Sequence, residues 1–394
     1  MIMDFYREAH ALEPDLVARR RDLHRHPETA FEESRTAGIV TDELRSLSLE
    51  VQTGVGKTGI VALLEGERPG PTILVRADMD ALPILEENQT DYVSTVPGKM
   101  HACGHDGHTS IALAVARILS QRRANMHGRI RFVFQPAEEV GGGARAMIAD
   151  GVLENPRPDF ALGLHLWNNL PVGQIAVTSG PMMSAADDWG CVISGRGGHG
   201  AIPHQTIDPI AAAAHIITAL QTIVSRNVDP LDTAVVTVGS IQGGTSFNII
   251  PPTVSLRGTL RTYRRETQAL VRQRLREICE GVAASLGCSA EVQIDEMTVA
   301  VDNDPALSDR VAALAADLVG PENVRRDVRT MGSEDMSYLM NGIPGCFFFI
   351  GSANADRDLY YGHHHPRFDF DERALVTGTA LLAAAAASFV LPEG

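Results

Sequence analysis

Residues 72–79 read Thr72-Ile73-Leu74-Val75-Arg76-Ala77-Asp78-Met79, a nearly continuous apolar run typical of a buried strand. VALLEG (61–66) precedes it as a second such run, HTSIALAVARILS (108–120) follows as a helix, and RIRFVFQP (129–136) returns to strand. Strands alternating with helices predict an α/β sheet. Upstream, residues 4–48 read as helical, with Leu12, Leu16, Val17 and Leu23 at three- and four-residue spacings. Downstream, a helix near 305–319, the apolar strand GCFFFIG (345–351) and a C-terminal helix resume the same rhythm.

Between about 182 and 297 the order changes. Strand WGCVISG (189–195), helix 208–226, strands TAVVTVGSI (233–241) and TVSLRGTLRTY (253–263), helix 265–286 and strand AEVQIDE (290–296) make β-α-β-β-α-β, the split ferredoxin-like unit. It reads as an insertion: residues 1–181 and 298–394 form the larger α/β domain and 182–297 a smaller α+β one.

The chain has 394 residues, 44% hydrophobic and 21% charged, which excludes a disulfide miniprotein, a collagen-like repeat and a disordered chain. A net charge of −15 repels phosphate backbones and anionic lipid, so no nucleic-acid or membrane partner is expected. The five cysteines, Cys103, Cys191, Cys279, Cys288 and Cys346, include no CxxC pair and suggest no disulfide framework. With an opening stretch, MIMDFYREAHALEPD, that is not a secretory signal, they point to the cytoplasm. Residues 374–391, ALVTGTALLAAAAASFVL, are uncharged and reach the length of a short membrane span. Their small side chains predict instead a helix packed closely under the sheet.

Gly54-Val55-Gly56-Lys57-Thr58-Gly59 imitates both a dinucleotide fingerprint and a phosphate loop. A strand rather than a helix follows it, and Val51 stands where the phosphate loop needs glycine. A β-hairpin turn is the simpler reading. His101-Ala102-Cys103-Gly104-His105-Asp106-Gly107-His108 gathers a thiol and three imidazoles, and the Cys103/His105 spacing on a glycine-containing loop lets both converge on a metal. Gln135-Pro136-Ala137-Glu138-Glu139 follows a strand, where open α/β sheets place their sites. Beside a metal, one of its carboxylates can ligate while the other moves a proton. Asp78 and Asp80 lie on one side of their chain by period-two alternation. His165 in the apolar run ALGLHLW and the loop His363-His364-His365-Pro366 add further imidazoles.

In order, Asp78-Met79-Asp80-Ala81-Leu82-Pro83, HACGHDGH, QPAEE, GLHLW, Gly197-Gly198-His199-Gly200-Ala201, Ser246-Phe247-Asn248 and His364-His365-Pro366 resemble the M20 metallopeptidase superfamily. The match, from about Leu23 to Asp371, is to its amidohydrolases, which include hippurate hydrolase, auxin-conjugate hydrolases and N-acetyldiaminopimelate deacetylase. The resemblance implies a zinc-peptidase-like catalytic domain of phosphorylase/hydrolase-like architecture, a mixed sheet flanked by helices, with the inserted domain as lid and dimerisation module. It implies Cys103, His105, Glu139, His165 and His364 as metal ligands, Glu138 as general base and Asp80 as support of the ligand shell. Asp78 stands where the wider superfamily usually has a ligating His, and His105 where it has a bridging aspartate. An imidazole offers a single lone pair, so one or two metals both remain open.

In the lid, His199 is implied as oxyanion donor, with His204 its rival, and Asn248 and Arg261 as substrate-binding, with Arg257 the rival of Arg261. The implied activity is metal-dependent hydrolysis of N-acyl amino acids, with Glu138 as base on a metal-bound water. Zinc is favoured by the thiolate and imidazoles, with Mn, Co or Ni acceptable. Alternatives are a carboxypeptidase acting on short peptides, an N-carbamoyl amino acid hydrolase and a catalytically silent, metal-bound binding protein for amino-acid conjugates. The partner expected beyond the small substrate is a second copy of the chain.

Overall fold

The computed structural model describes residues 2–392. The chain divides into two compact units. The first runs through Met182, then Asp302–Arg329, then from Asp335 onward; the second comprises Met183–Val301 and Thr330–Glu334.

The first unit is built on an eight-stranded mixed sheet. Its order is Glu50–Val55, Gly59–Glu65, His127–Gln135, Arg68–Asp78, Phe160–Pro171, Gly345–Ala353, Ile175–Ala176 and Val324–Arg325. The four strands from His127–Gln135 to Gly345–Ala353 are parallel, and Gly59–Glu65 joins them antiparallel. Ile73 through Asp78 are buried because parallel neighbours flank the strand and helices cover the sheet, which is why this stretch shows no polar alternation.

The helix Arg373–Val390 is long and apolar enough to span a membrane, yet 78% of its residues are buried inside this unit. Ala380 through Ala387 have essentially no exposure, and such small side chains let it pack against the other helices and the sheet. The helical region 4–48 is three helices, Ile2–Ala11, Glu13–Arg25 and Ser34–Ser46. Pro14 starts the second, since it lacks the N–H that a continuous helix needs there, and Pro27 biases His26 away from helical geometry. The glycine-rich GVGKTG stretch is a hairpin turn between antiparallel Glu50–Val55 and Gly59–Glu65, with positive φ at Gly54, Gly56 and Lys57. Its Gly56 N–H donates to Asp150 at 2.7 Å.

The second unit carries a four-stranded antiparallel sheet in the order Ala234–Gln242, Thr253–Thr262, Ala185–Ser194 and Ser289–Thr298. Helices Pro209–Thr222 and Arg265–Ser285 supply Ala212, Ile216, Leu220, Val271 and Leu275 to a core that includes Trp189, Ile193, Val254 and Leu256. Asp208 caps the first helix, accepting from the Ile210 N–H at 2.9 Å, with Pro209 at its first position.

Candidate functional site

The carboxyl ends of neighbouring strands in the first unit bring the chemistry together. Arg68–Asp78 ends at Asp78 with Asp80 beyond it, His127–Gln135 leads into Glu138 and Glu139, and Phe160–Pro171 contributes His165. The helix His105–Ser120 begins here, its preceding residue Gly104 in the left-handed region at φ +90°. An L side chain would be strained at that position.

Asp80 organises the centre. Its two oxygens accept the backbone N–H groups of Glu138 and Glu139, each at 3.0 Å, and Oδ1 lies 3.3 Å from His105 Nδ1. With Nδ1 turned to Asp80, the Nε2 lone pair of His105 points elsewhere. His165 Nδ1 donates to the Leu166 carbonyl at 2.6 Å, and its Nε2 lies 3.5 Å from Cys103 Sγ. His364, at φ +67°, places Nε2 3.2 Å from Glu139 Oε2.

Among the described residues five groups of three donors have their ligand atoms mutually within 4.8 Å, and two of them, Cys103/His105/His165 and Cys103/Glu139/His364, share the thiol. Together they contain all five ligands implied by the sequence. His105 Nε2 and Glu139 Oε1 are buried, 3.9 Å apart and without hydrogen-bond partners. Buried polar atoms are normally satisfied, so this pair and the thiol–imidazole–carboxylate set fit a borderline divalent metal.

The electrostatics agree. Burial, then the charges of Glu139, Glu138 and Asp78, push the Cys103 thiol well above its usual range, a tension that a cation relieves. Burial would lower His105, but Asp78, Asp80 and Glu139 hold it up at about 10, so a cation ligated by its Nε2 would have to displace a proton there. Burial followed by His108 and His363 pushes His165 well down, keeping it neutral as a ligand must be.

Nearby imidazoles that spacing could not separate are distinguished by their partners. His108 faces Asp78 with Nδ1 at 2.6 Å and accepts the Leu166 N–H on Nε2 at 2.9 Å, leaving it no free lone pair. His363 donates to the Leu166 carbonyl at 2.9 Å and stacks on Trp167, while His365 stacks on Tyr361. His101 has no such partner, both its ring nitrogens being buried without a hydrogen bond; it lies beside the His24 ring and, among the described residues, in none of the groups of convergent donors. Asp78 is fully buried and bonded to Arg76 at 2.7 Å, and Arg76 also reaches Gln135 at 2.9 Å and Asp335 at 3.2 Å. This support was missed from sequence, although a charged residue inside an apolar strand requires a buried partner.

In the second unit, two-residue pairing sets Ile249 opposite His199, and the Gly200 N–H donates to the Asn248 carbonyl at 2.8 Å, so His199 and Asn248 are neighbours. Arg261 donates to Ser333 at 2.7 Å and is pushed down by burial. Its rival Arg257 forms an exposed ion pair with Asp188 at 2.8 Å. His204 lies exposed on the short turn Pro203–Gln205.

The acidic turn also depends on Gly143. A Cβ there would stand 1.6 Å from the Pro136 carbonyl oxygen, so the backbone entering Ala137-Glu138-Glu139 would have to move. Gly143→Ala is expected to cost about 1–3 kcal/mol or more, read as a lower urea midpoint. An unchanged midpoint would show that this packing is not required.

The family model described as Peptidase family M20/M25/M40 matches residues 74–388. N-acetylcysteine deacetylase of Bacillus subtilis is 41% identical over 93% of this chain and 95% of its own length. IAA-amino acid hydrolase ILR1-like 4 of Arabidopsis thaliana is 39% identical over 95% of this chain and 86% of its own. The solved structure of Bacillus subtilis YXEP, described as a dinuclear metal binding peptidase from the M20 family, superposes with TM-score 0.84 at 36% identity, covering 96% of this chain and 98% of that one.

Proposed function

The chain belongs to peptidase family M20/M25/M40 and is a metal-dependent hydrolase of amide bonds, and we propose that it releases free amino acids from N-acyl amino acids through the Cys103-centred site. The observation that carries this reading is the pair of ligand triads sharing Cys103, with Glu138 beside them on the turn that Asp80 holds. Cys103, His105, Glu139, His165 and His364 would hold the metal, one or two ions per chain. Bound there, a divalent transition metal supplies Lewis acidity toward water and the amide carbonyl.

The remaining work falls to the protein. Glu138 takes a proton from the attacking water and delivers it to the leaving nitrogen, because a neutral amine leaves far more readily than an amide anion. Asp80 keeps His105 and the Glu138–Glu139 backbone in register. His199 donates to the carbonyl oxygen as it gains charge, and Asn248 and Arg261 hold the substrate, the guanidinium fork matching a carboxylate. The order of its four strands supports a ferredoxin-like reading of the second unit, to which we assign the lid and homodimerisation roles that the family resemblance implies. Five free cysteines suit a reducing cytoplasm.

Free-amine release from N-acetyl, N-benzoyl and N-carbamoyl amino acids and from dipeptides tests this assignment. The expected ranking puts N-acetyl or N-benzoyl substrates first. Preference for dipeptides would make the enzyme a carboxypeptidase, and preference for N-carbamoyl substrates a carbamoylase. Binding of N-acyl amino acids without turnover by metal-loaded protein would contradict hydrolysis.

A further inference from the structure

Behind the ligands lies a buried ionic cluster that the proposed reaction does not use. Arg20, on the helix Glu13–Arg25 and fully buried, donates Nε to Asp106 at 3.0 Å, Nη2 to Asp369 at 2.7 Å and Nη1 to Glu372 at 3.3 Å. One turn on, His24 sets Nδ1 2.8 Å from the same Asp106 oxygen and Nε2 3.1 Å from Glu86. The second Asp369 oxygen accepts the Tyr92 hydroxyl at 2.7 Å. Burial and Arg20 both act to lower His24, yet Asp106 and Glu86 hold it up at about 9, so both ring nitrogens donate.

The cluster's anchor points are adjacent to the site. Asp106 follows His105 directly, and its other oxygen accepts the Gly107 N–H at 2.9 Å in the first helical turn. Asp369 lies five residues past His364, with its carbonyl held by Asn168 at 2.7 Å. One guanidinium therefore spans two chain segments that carry ligands from opposite ends of the sequence. Buried ion pairs are often no more stabilising than apolar packing of the same volume, and in some proteins they serve instead to fix one geometry.

We propose that Arg20, His24 and Asp106 form a positioning clamp that fixes the His105-bearing helix start against the His364-bearing segment and so sets the geometry of the metal centre. The clamp rests on the ligand assignment above. It acts through the ligands and touches neither substrate nor metal, as outer partners of metal sites commonly do.

Cobalt(II) absorption reads that geometry directly. Wild-type protein, His24→Gln and the milder Tyr92→Phe are loaded with Co²⁺, and their spectra, Co²⁺ affinities, kcat and KM are compared. A thiolate-to-cobalt band in the wild type, absent from Cys103→Ala, is expected. Its absence from the wild type would overturn the ligand assignment and the clamp with it. Given that band, His24→Gln is expected to shift the ligand-field bands, weaken Co²⁺ binding about 10-fold and lower kcat more than it raises KM. Tyr92→Phe shifts them in the same direction by less, and decides the matter if His24→Gln does not fold by circular dichroism. Unaltered spectra, affinity and kcat in folded variants, with only a lower Tm, would leave the ligand assignment standing and overturn the clamp.

Discussion

Glu138→Gln is expected to retain the full metal content and lose about 10²- to 10⁴-fold in kcat. The substitution keeps size and hydrogen-bonding capacity but removes the ability to accept and return a proton. It leaves the turn in place, since Asp80 holds residues 138 and 139 through their backbone N–H groups rather than their side chains. The test discriminates, because Glu138 also falls within a possible donor group with His105 and Glu139. Metal loss accompanying the fall in kcat would make Glu138 a ligand instead of the base. Turnover within a few-fold of the wild type would remove it from proton transfer altogether.

Cys103→Ala is expected to have the largest effect on metal content, because Cys103 alone belongs to both triads that make up the ligand set. Its effect should exceed the about 10- to 100-fold loss of affinity typical of changes outside the ligand shell. His165→Ala removes a donor from one triad only and should lower the metal bound per chain by less. Elemental analysis after exhaustive dialysis measures both. Full metal retention in Cys103→Ala would contradict its role, and equal losses in the two variants would contradict the shared position.

Much of this site is legible in sequence because its parts lie at strand ends, where the pattern changes abruptly. The strand within TILVRADM closes on Asp78, RIRFVF runs into Gln-Pro, and the helix after HACG opens on His105, so these groups sit at visible boundaries, whereas His165 lies inside its strand. The Asp208-Pro209 and Asp304-Pro305 pairs similarly announce helix starts. Long-range partnership is what spacing cannot convey. Arg20 and His24 look like the polar side of an amphipathic helix, and only folding brings Asp106 and Asp369 to them. His101, His105 and His108 are equally plausible donors on paper. Asp78 and the Leu166 N–H remove His108 from that set, while Asp80 orients His105 toward the centre. The proximity of His199 to Asn248 likewise depends on a two-residue strand pairing too short to register as periodicity.

The most direct test of metal-dependent amide hydrolysis is amine release from an N-acetyl amino acid before chelation, after metal removal verified by elemental analysis, and after reconstitution with Zn, Mn, Co or Ni. Release that disappears with the metal and returns with at least one of these ions is the expected result. Release that continues undiminished from metal-free protein would contradict it.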